Sequence, residues 1–428
     1  MSEAITVGKG PYAGDTNQAI QKAVDAAAAA GGGTVVVPAG TWRMHDALHL
    51  RSGVRVVGRG TPVLRKVPSV SSRILDFLGY GHYEFTVAEP DRFRVGMGVH
   101  LLDDKSGGFY TTVATITARK GELFFLDRML NHDYHPRARA RAVSVFSLVE
   151  GADVQDASVE GLVVDGHYPA ETFRLNGCRG GGVFLIGSQR VRIADVEVRN
   201  FHGDAISFQQ CVDVAVVDCW LHHNTGYGLH PGSGSVRYVM RRVRSHDNGE
   251  CGVFYCLRTT HSRLEDCELA DNGKAGISIG TRDTDHLIRN NTICGNAQPG
   301  VLFRSAQRRG GERTLLRANT LAGNAVKGGG AEVVLSGGLR AVWIDANTFE
   351  PAEGRPALRV AAGCRGICVT GNTTNGAPQA PADVTVAGDS EVRFEVPADF
   401  PAVGPEALPP DGARHLKVET LPAWQDPQ

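Results

Sequence analysis

The chain has 428 residues, 42 % hydrophobic and 21 % charged, the balance of a folded protein rather than a disordered one. Lys and Arg total 45 against 46 Asp and Glu, a net charge of −1 that argues against broad electrostatic binding to nucleic acid or an anionic membrane, though it permits a local basic patch. No apolar run approaches the ~20 residues of a bilayer span, so neither nucleic acid nor membrane is an expected partner.

The first ten residues, Met1 to Gly10, lack the basic-then-apolar order of a secretory leader. The expectation is a cytoplasmic chain, or a secreted one if a leader has been removed. Residues 15–30 (DTNQAIQKAVDAAAAA) predict an Ala-rich helix with Asp15 or Thr16 as its N-cap. GGG at 31–33 ends it, and TVVVPAGTW opens the first coil. Residues 1–78 therefore read as a capping helix and first coils, the helix covering the open core that a solenoid must close. Over 79–148 strand-like runs such as ELFFLD occur without the repeat found elsewhere, which predicts an inserted β-subdomain. Residues 149–375 read as the main run of coils, with AQRRGGER (306–313) lengthening one turn. Residues 376–428 are Pro-rich and read as an extended tail, packed along the solenoid's side.

The repeat carries the fold. Six segments align: GVFLIGS (182–188), AISFQQC (205–211), GLHPGSG (228–234), GVFYCLR (252–258), GISIGTR (276–282) and GVLFRSA (300–306). Their first residues are 23 or 24 apart, and their second position is always aliphatic: Val183, Ile206, Leu229, Val253, Ile277 and Val301. Alternation with period two turns these residues inward and their neighbours outward. Asn224, Asn248, Asn272 and Asn296 keep the same 24-residue beat, as a ladder of stacked amides would. The 3.6-residue period of helical repeats and the LxxLxL of leucine-rich repeats are both absent. The fold class is all-β, a parallel β-solenoid with three short strands per coil. Nine Cys occur without any CxxC pair. Cys219 and Cys267 stand two coils apart, ~9.6 Å at ~4.8 Å per coil, too far to bridge, so reduced, packed thiols are expected.

The opening GDTNQAIQKAVDAAAAAGGGTVVVPAGTW resembles that of pectate-lyase-like right-handed parallel β-helix proteins, and the resemblance covers roughly 11–60 and 150–375. It implies a right-handed helix and a place among polysaccharide lyases, glycoside hydrolases, uronate epimerases, phage depolymerases and proteins of no known activity. GYGLHPGS (226–233) is similar to the YGFDPHE coil of mannuronan epimerases: Tyr227, Gly228 and Pro231 match, while the motif's Asp is His230 and its His is Gly232. GDAISF (203–208) keeps one Asp, Asp204, of the polygalacturonase GDDCIAI, so the three-carboxylate site of those enzymes is absent.

The outward positions form a strip with one residue per coil. One row reads Phe184, Ser207, His230, Phe254, Ser278, Leu302; its neighbour reads Ile186, Gln209, Gly232, Cys256, Gly280, Arg304, with Arg258, Arg282, Asp283 and Asp285 just beyond. Aromatic rings, small residues, one imidazole and several guanidinium groups suit an extended acidic sugar chain, because Arg grips carboxylates with a planar fork. His230, with an ordinary pKa near 6.5 and small row-mates that leave it accessible, is the expected base for removing a proton beside a carboxylate. Tyr227 is the partner acid that the epimerase resemblance implies. Asp204 is open between orienting His230, acting as a carboxylate catalyst and capping a turn. Ser207, Gln209, Phe254, Cys256, Arg258, Ser278, Arg282, Asp283 and Arg304 are the expected substrate contacts, the arginines alternatively pairing with Asp283, Asp285 and Glu265. Asp165, His167, Tyr168 and Glu171 lie in an insertion that could wall a cleft. His222, His223 and His246 lack a completing carboxylate or Cys and read as turn histidines, so no metal site or cofactor is expected; Ca²⁺ held by backbone carbonyls would leave no mark in the sequence. Three readings fit this strip: β-elimination or epimerisation on a uronate-containing oligo- or polysaccharide, a glycoside hydrolase, and a non-catalytic glycan-binding or scaffold protein.

Overall fold

A computed structural model describes residues 4–305, 310–328, 330–380 and 383–394. The chain winds into a solenoid with three sheets of 13, 12 and 11 strands, parallel throughout except for the last pair of the 12-stranded sheet, Thr373–Thr374 with Ala377–Pro378. One coil shows the pattern: Ile206–Gln209 lies in the 11-stranded sheet, Val212–Val217 in the 13-stranded sheet and Trp220–His222 in the 12-stranded sheet. The next coil repeats them in register, Ile206 on Leu229, Val216 on Met240 and Leu221 on Ser245. The aliphatic residues of the aligned segments are fully buried, and stacked inward rows form one core along the axis. Between the longer strand and the next, each coil turns on a single residue in the left-handed region: Asp218 (φ 58°), Arg242 (52°), Asp266 (56°) and Asn290 (55°).

The asparagine ladder runs along one inner corner. Asn224 Nδ2 donates to Asn248 Oδ1 at 2.9 Å, Asn248 to Asn272 at 3.1 Å, Asn272 to Asn296 at 3.0 Å and Asn296 to Asn324 at 2.8 Å. A second ladder, Asn291, Asn319, Asn347 and Asn372, runs along another corner with bonds of 2.9 to 3.0 Å. Its spacing of 28, 28 and 25 residues hides it from a search at 24.

The N-terminal helix spans Asn17–Ala29 and buries Ile20, Ala23, Val24 and Ala27, an i, i+3, i+4, i+7 stripe, over the first coils. The insertion begins earlier than its lost beat suggested. From Ser71–Arg73 to Arg141–Val143 the chain forms a six-stranded antiparallel sheet with its own core around Phe85, Phe93, Phe124 and Tyr134. It is spliced into one coil: Val54–Arg59 and Val63–Lys66 complete that coil, and Leu48 and His49 still pair directly with Val149 and Glu150 of the next, as though the inserted sheet were absent. A buried ion cluster fastens it there. His49 meets Asp46 at 3.2 Å and Glu150 at 3.1 Å, and Arg128 of the insertion meets Glu150 at 2.8 Å. All nine cysteines are free thiols. The Pro-rich tail beyond residue 394 and the start of the lengthened turn, residues 306–309, lie outside the described residues.

Candidate active site

The 11-stranded sheet presents the strip. Register sets His49, Glu150, Phe184, Ser207 and His230 in one outward row, with Phe254, Ser278 and Leu302 continuing it. Its centre is covered rather than open, contrary to the accessibility expected from small row-mates. A segment at 175–181, rich in glycine, crosses the sheet, held by Leu175 N–H on the His202 carbonyl (2.9 Å), Gly181 N–H on Ser147 Oγ (3.2 Å) and the Arg179 guanidinium on the Phe109 carbonyl (3.0 Å). The Gly177 carbonyl accepts from Ser207 Oγ at 2.6 Å and from Gln209 Nε2 at 3.3 Å. Ser207 and Gln209, expected as substrate contacts, are therefore wholly buried supports of this cover.

Beneath Gly177 lies a carboxylate–imidazole pair. Asp204 Oδ2 stands 2.7 Å from His230 Nδ1, and Asp204 Oδ1 accepts the Tyr227 N–H at 3.0 Å. Both side chains are almost fully buried, and His230 Nε2 has no hydrogen-bond partner. Burial alone would push the imidazole down, but Asp204 and the neighbouring Cys256 thiol hold it up, to about 9. The near-neutral base expected at this position is thus an imidazolium at neutral pH. Cys256 sits one coil on and two residues along, on the second outward row, and is half-buried. The Cys178 thiol, on the covering segment, interacts with both Cys256 and Asp204, and burial pushes it up to about 12.

Tyr227 stacks on Phe254, centroids 4.2 Å apart and planes at 9°, and burial raises its hydroxyl well above the usual range. Arg304 extends back across two coils. Its guanidinium carbon lies 4.0 Å from the Phe254 centroid, one Nη donates to Ser278 Oγ at 2.9 Å and the other to the Tyr255 carbonyl at 2.7 Å. Gly280 makes this path possible, since a Cβ there would stand 1.8 Å from an Arg304 Nη. His230, Asp204, Tyr227, Phe254, Cys256, Ser278 and Arg304 are therefore brought together.

Of the remaining expected contacts, Arg258 and Arg282 are not part of that group, and Asp283 adjoins it through Arg304. Arg258 (φ 67°) and Arg282 (φ 60°) are exposed corner residues with no ion pair among the described residues. Asp283 is buried and caps the turn, accepting from the Thr259 N–H (2.9 Å) and hydroxyl and from the Gly280 N–H (2.8 Å), and it also stands 3.8 Å from an Arg304 Nη, the arginine pairing that was the alternative expectation. Asp285 pairs with Arg313, and Glu265 with Arg263 and Arg289. In the 165–171 insertion, Asp165 accepts from the His167 N–H (3.0 Å), Glu171 holds Lys66 (2.7 Å) and Ser69, and Tyr168 stacks on His202. His222 meets His223, stacks on His246 and faces Glu197 at 3.3 Å. Among the described residues no three His, Cys, Asp or Glu side chains are placed to hold a metal ion. Missed from the sequence were Gly177 and Cys178 on the cover, for which the run GCRGGG was the available signal. Glu250, which holds Lys274 and acts electrostatically on Tyr227, was missed as well.

Residues 181–349 match the right handed beta helix region family, and residues 9–76 match rhamnogalacturonase A/epimerase, pectate lyase-like. No curated protein matches the sequence. Among solved structures, the chain is similar to the A-module of the Azotobacter vinelandii mannuronan C-5 epimerase AlgE6 (18 % identity, 89 % of this chain and 95 % of that one, TM-score 0.55). It is also similar to the Dettilon tailspike protein (13 %, 90 % and 68 %, TM-score 0.54) and to a glycoside hydrolase (11 %, 93 % and 98 %, TM-score 0.51). At these identities the likeness is one of fold.

Proposed function

We propose that this chain, a right-handed parallel β-helix protein of the pectate-lyase-like superfamily, acts on a uronate-containing oligo- or polysaccharide. The reaction begins by removing the proton beside the carboxylate, the step shared by β-elimination and epimerisation. The observation that carries this reading is the juxtaposition of the buried Asp204–His230 pair with the Arg304 guanidinium on one strip. A guanidinium fork pairs with a uronate carboxylate, and neutralising that carboxylate acidifies the adjacent C–H. Asp204 fixes the imidazole so that Nε2 is its one nitrogen free to exchange protons. The Tyr227 hydroxyl, kept protonated by burial, stands at the same edge as a donor. A mannuronan epimerase among the similar folds supports a uronate as substrate.

A hydrolase would need two carboxylates about 5–9.5 Å apart. On and beside this strip Asp204, Asp283, Asp165 and Glu171 are each committed to internal partners, which disfavours that reading. The test incubates the protein with a panel of acidic glycans in D₂O. Ultraviolet absorbance reports an unsaturated uronate, and proton NMR reports deuterium at the carbon beside the carboxylate. Either signal is the expected result. New reducing ends without either would establish hydrolysis, and binding without any of the three would make the protein a non-catalytic module.

A further inference from the structure

Cys256 adjoins the buried pair and is less buried than either of its members. His230 is 4 % exposed and Asp204 2 %, whereas the Cys256 thiol beside them is partly open. His230 has one nitrogen on Asp204 and the other buried without a partner. Register puts Cys256 one coil (~4.8 Å) and two residues (~6.6 Å) from His230 on the same outward face, within reach of an imidazole. The charged and titratable groups facing it are His230 with Asp204 behind it, Arg304 crossing the adjacent Gly280, and Cys178 from the cover. Half-exposed thiols between cations are those that ionise and react.

We propose that Cys256 is the group that takes the substrate proton, and that His230 and Asp204 are positioning residues acting behind it. This rests on the proposed uronate activity for its substrate and not for its chemistry. With His230 already an imidazolium anchored on Asp204, the Cys256 S–H proton is released to solvent water and the thiolate is held beside that cation. The thiolate takes the proton beside the uronate carboxylate: the C–H bond breaks, an S–H bond forms, and the electron pair spreads into the carboxylate facing Arg304. That pair either takes up a proton on the opposite ring face or expels the neighbouring C–O oxygen, which leaves as an alcohol protonated by water. An imidazolium cannot itself accept this proton, and the raised His230 agrees with that division of labour.

The experiment measures the alkylation of Cys256 by iodoacetamide against pH, by peptide mass spectrometry on the whole chain. Cys256 is expected to react at pH 6, well below the ordinary thiol midpoint near 8.5, and ahead of the buried thiols. His230→Gln should lower the pH 6 rate at least about tenfold and restore an ordinary thiol profile. A wild-type profile centred at the ordinary midpoint overturns the proposal, and it does so even if His230→Gln fails to fold. On a glycan that the wild type turns over, Cys256→Ala retaining turnover overturns it too. A reactive Cys256 in a protein that turns over no acidic glycan upholds the activated thiol and removes the uronate reading instead.

Discussion

Gly177 lies against Asp204 so closely that a Cβ at residue 177 would stand 1.8 Å from Asp204 Oδ2 and 2.4 Å from His230 Nδ1. The two atoms it would strike are those joined in the 2.7 Å pair, and neither is the loose end of a flexible side chain. Gly177→Ala must therefore lift the covering segment or part the pair. The expected outcome is a loss of turnover of about a hundredfold, with about 1–3 kcal/mol of stability. Steady-state kinetics and urea unfolding of the variant measure both.

Arg304 holds its guanidinium over Phe254 with bonds to Ser278 and the Tyr255 carbonyl, yet its side chain is 29 % exposed. Arg304→Met keeps an apolar stem on the ring and removes the fork. KM for a uronate-containing glycan should rise more than tenfold, in line with the roughly 1.5–3 kcal/mol of a hydrogen bond to a charged group. The melting temperature should fall as well, because Ser278, the Tyr255 carbonyl and the buried Asp283 lose a partner. An unchanged KM would take Arg304 out of substrate recognition.

Asn272 occupies the middle of the first ladder. Its amide donates to the Ser245 carbonyl and Asn296 Oδ1, and its oxygen accepts from the N–H and Nδ2 of Asn248. Asn272→Ala strands buried groups on both neighbouring coils, each at roughly 1–3 kcal/mol. Thermal unfolding should report a loss far larger than that of an outward substitution such as Arg282→Ala, which breaks no ion pair among the described residues.

The ion cluster that fastens the inserted sheet predicts a stability optimum in pH. Burial alone would lower His49, but Asp46 and Glu150 raise it from 6.5 to about 10. Its contribution is complete below pH 6.5 and is lost as pH climbs through about 10. Burial alone would raise Glu150, but His49 and Arg128 lower it from 4.5 to about 2, so its contribution is complete above pH 4.5 and is lost as pH falls through about 2. Between pH 4.5 and 6.5 both are intact. Glu150→Gln leaves His49 and Arg128 without their shared partner, at about 3–5 kcal/mol, and should blunt the alkaline loss in denaturation curves taken across pH.

Much of the architecture is legible from Val183, Ile206, Leu229, Val253, Ile277 and Val301 alone, because a solenoid repeats one local environment and so repeats one residue type. The ladder from Asn224 to Asn296 is legible for the same reason. Legibility stops where the period breaks. The second ladder rides on coils lengthened to 28 residues, and the strand Ser71–Arg73 already belongs to the insertion although no change of beat marks it. At the site, His230, Tyr227 and Asp204 stand out as residue types foreign to their rows. Arg304 reads in the sequence as a companion of Arg258 and Arg282, but it stands two positions short of their 24-residue spacing, and that offset turns its side chain over the strip.

The sequence by itself determines the coil, its three strands, its inward rows and the capping helix, since each arises from contacts between residues one repeat apart. Only the tertiary structure decides that the strip is roofed. The segment at 175–181 and the inserted sheet reach it from outside the repeat, where Arg179 meets Phe109 and Gly177 meets Ser207 and Asp204. That roof takes His230 out of solvent, and Asp204, acting against the effect of burial, holds it as an imidazolium beside the less buried Cys256. Desolvation and the approach of a charged partner depend on what covers a residue, and no periodicity encodes what arrives from another part of the chain.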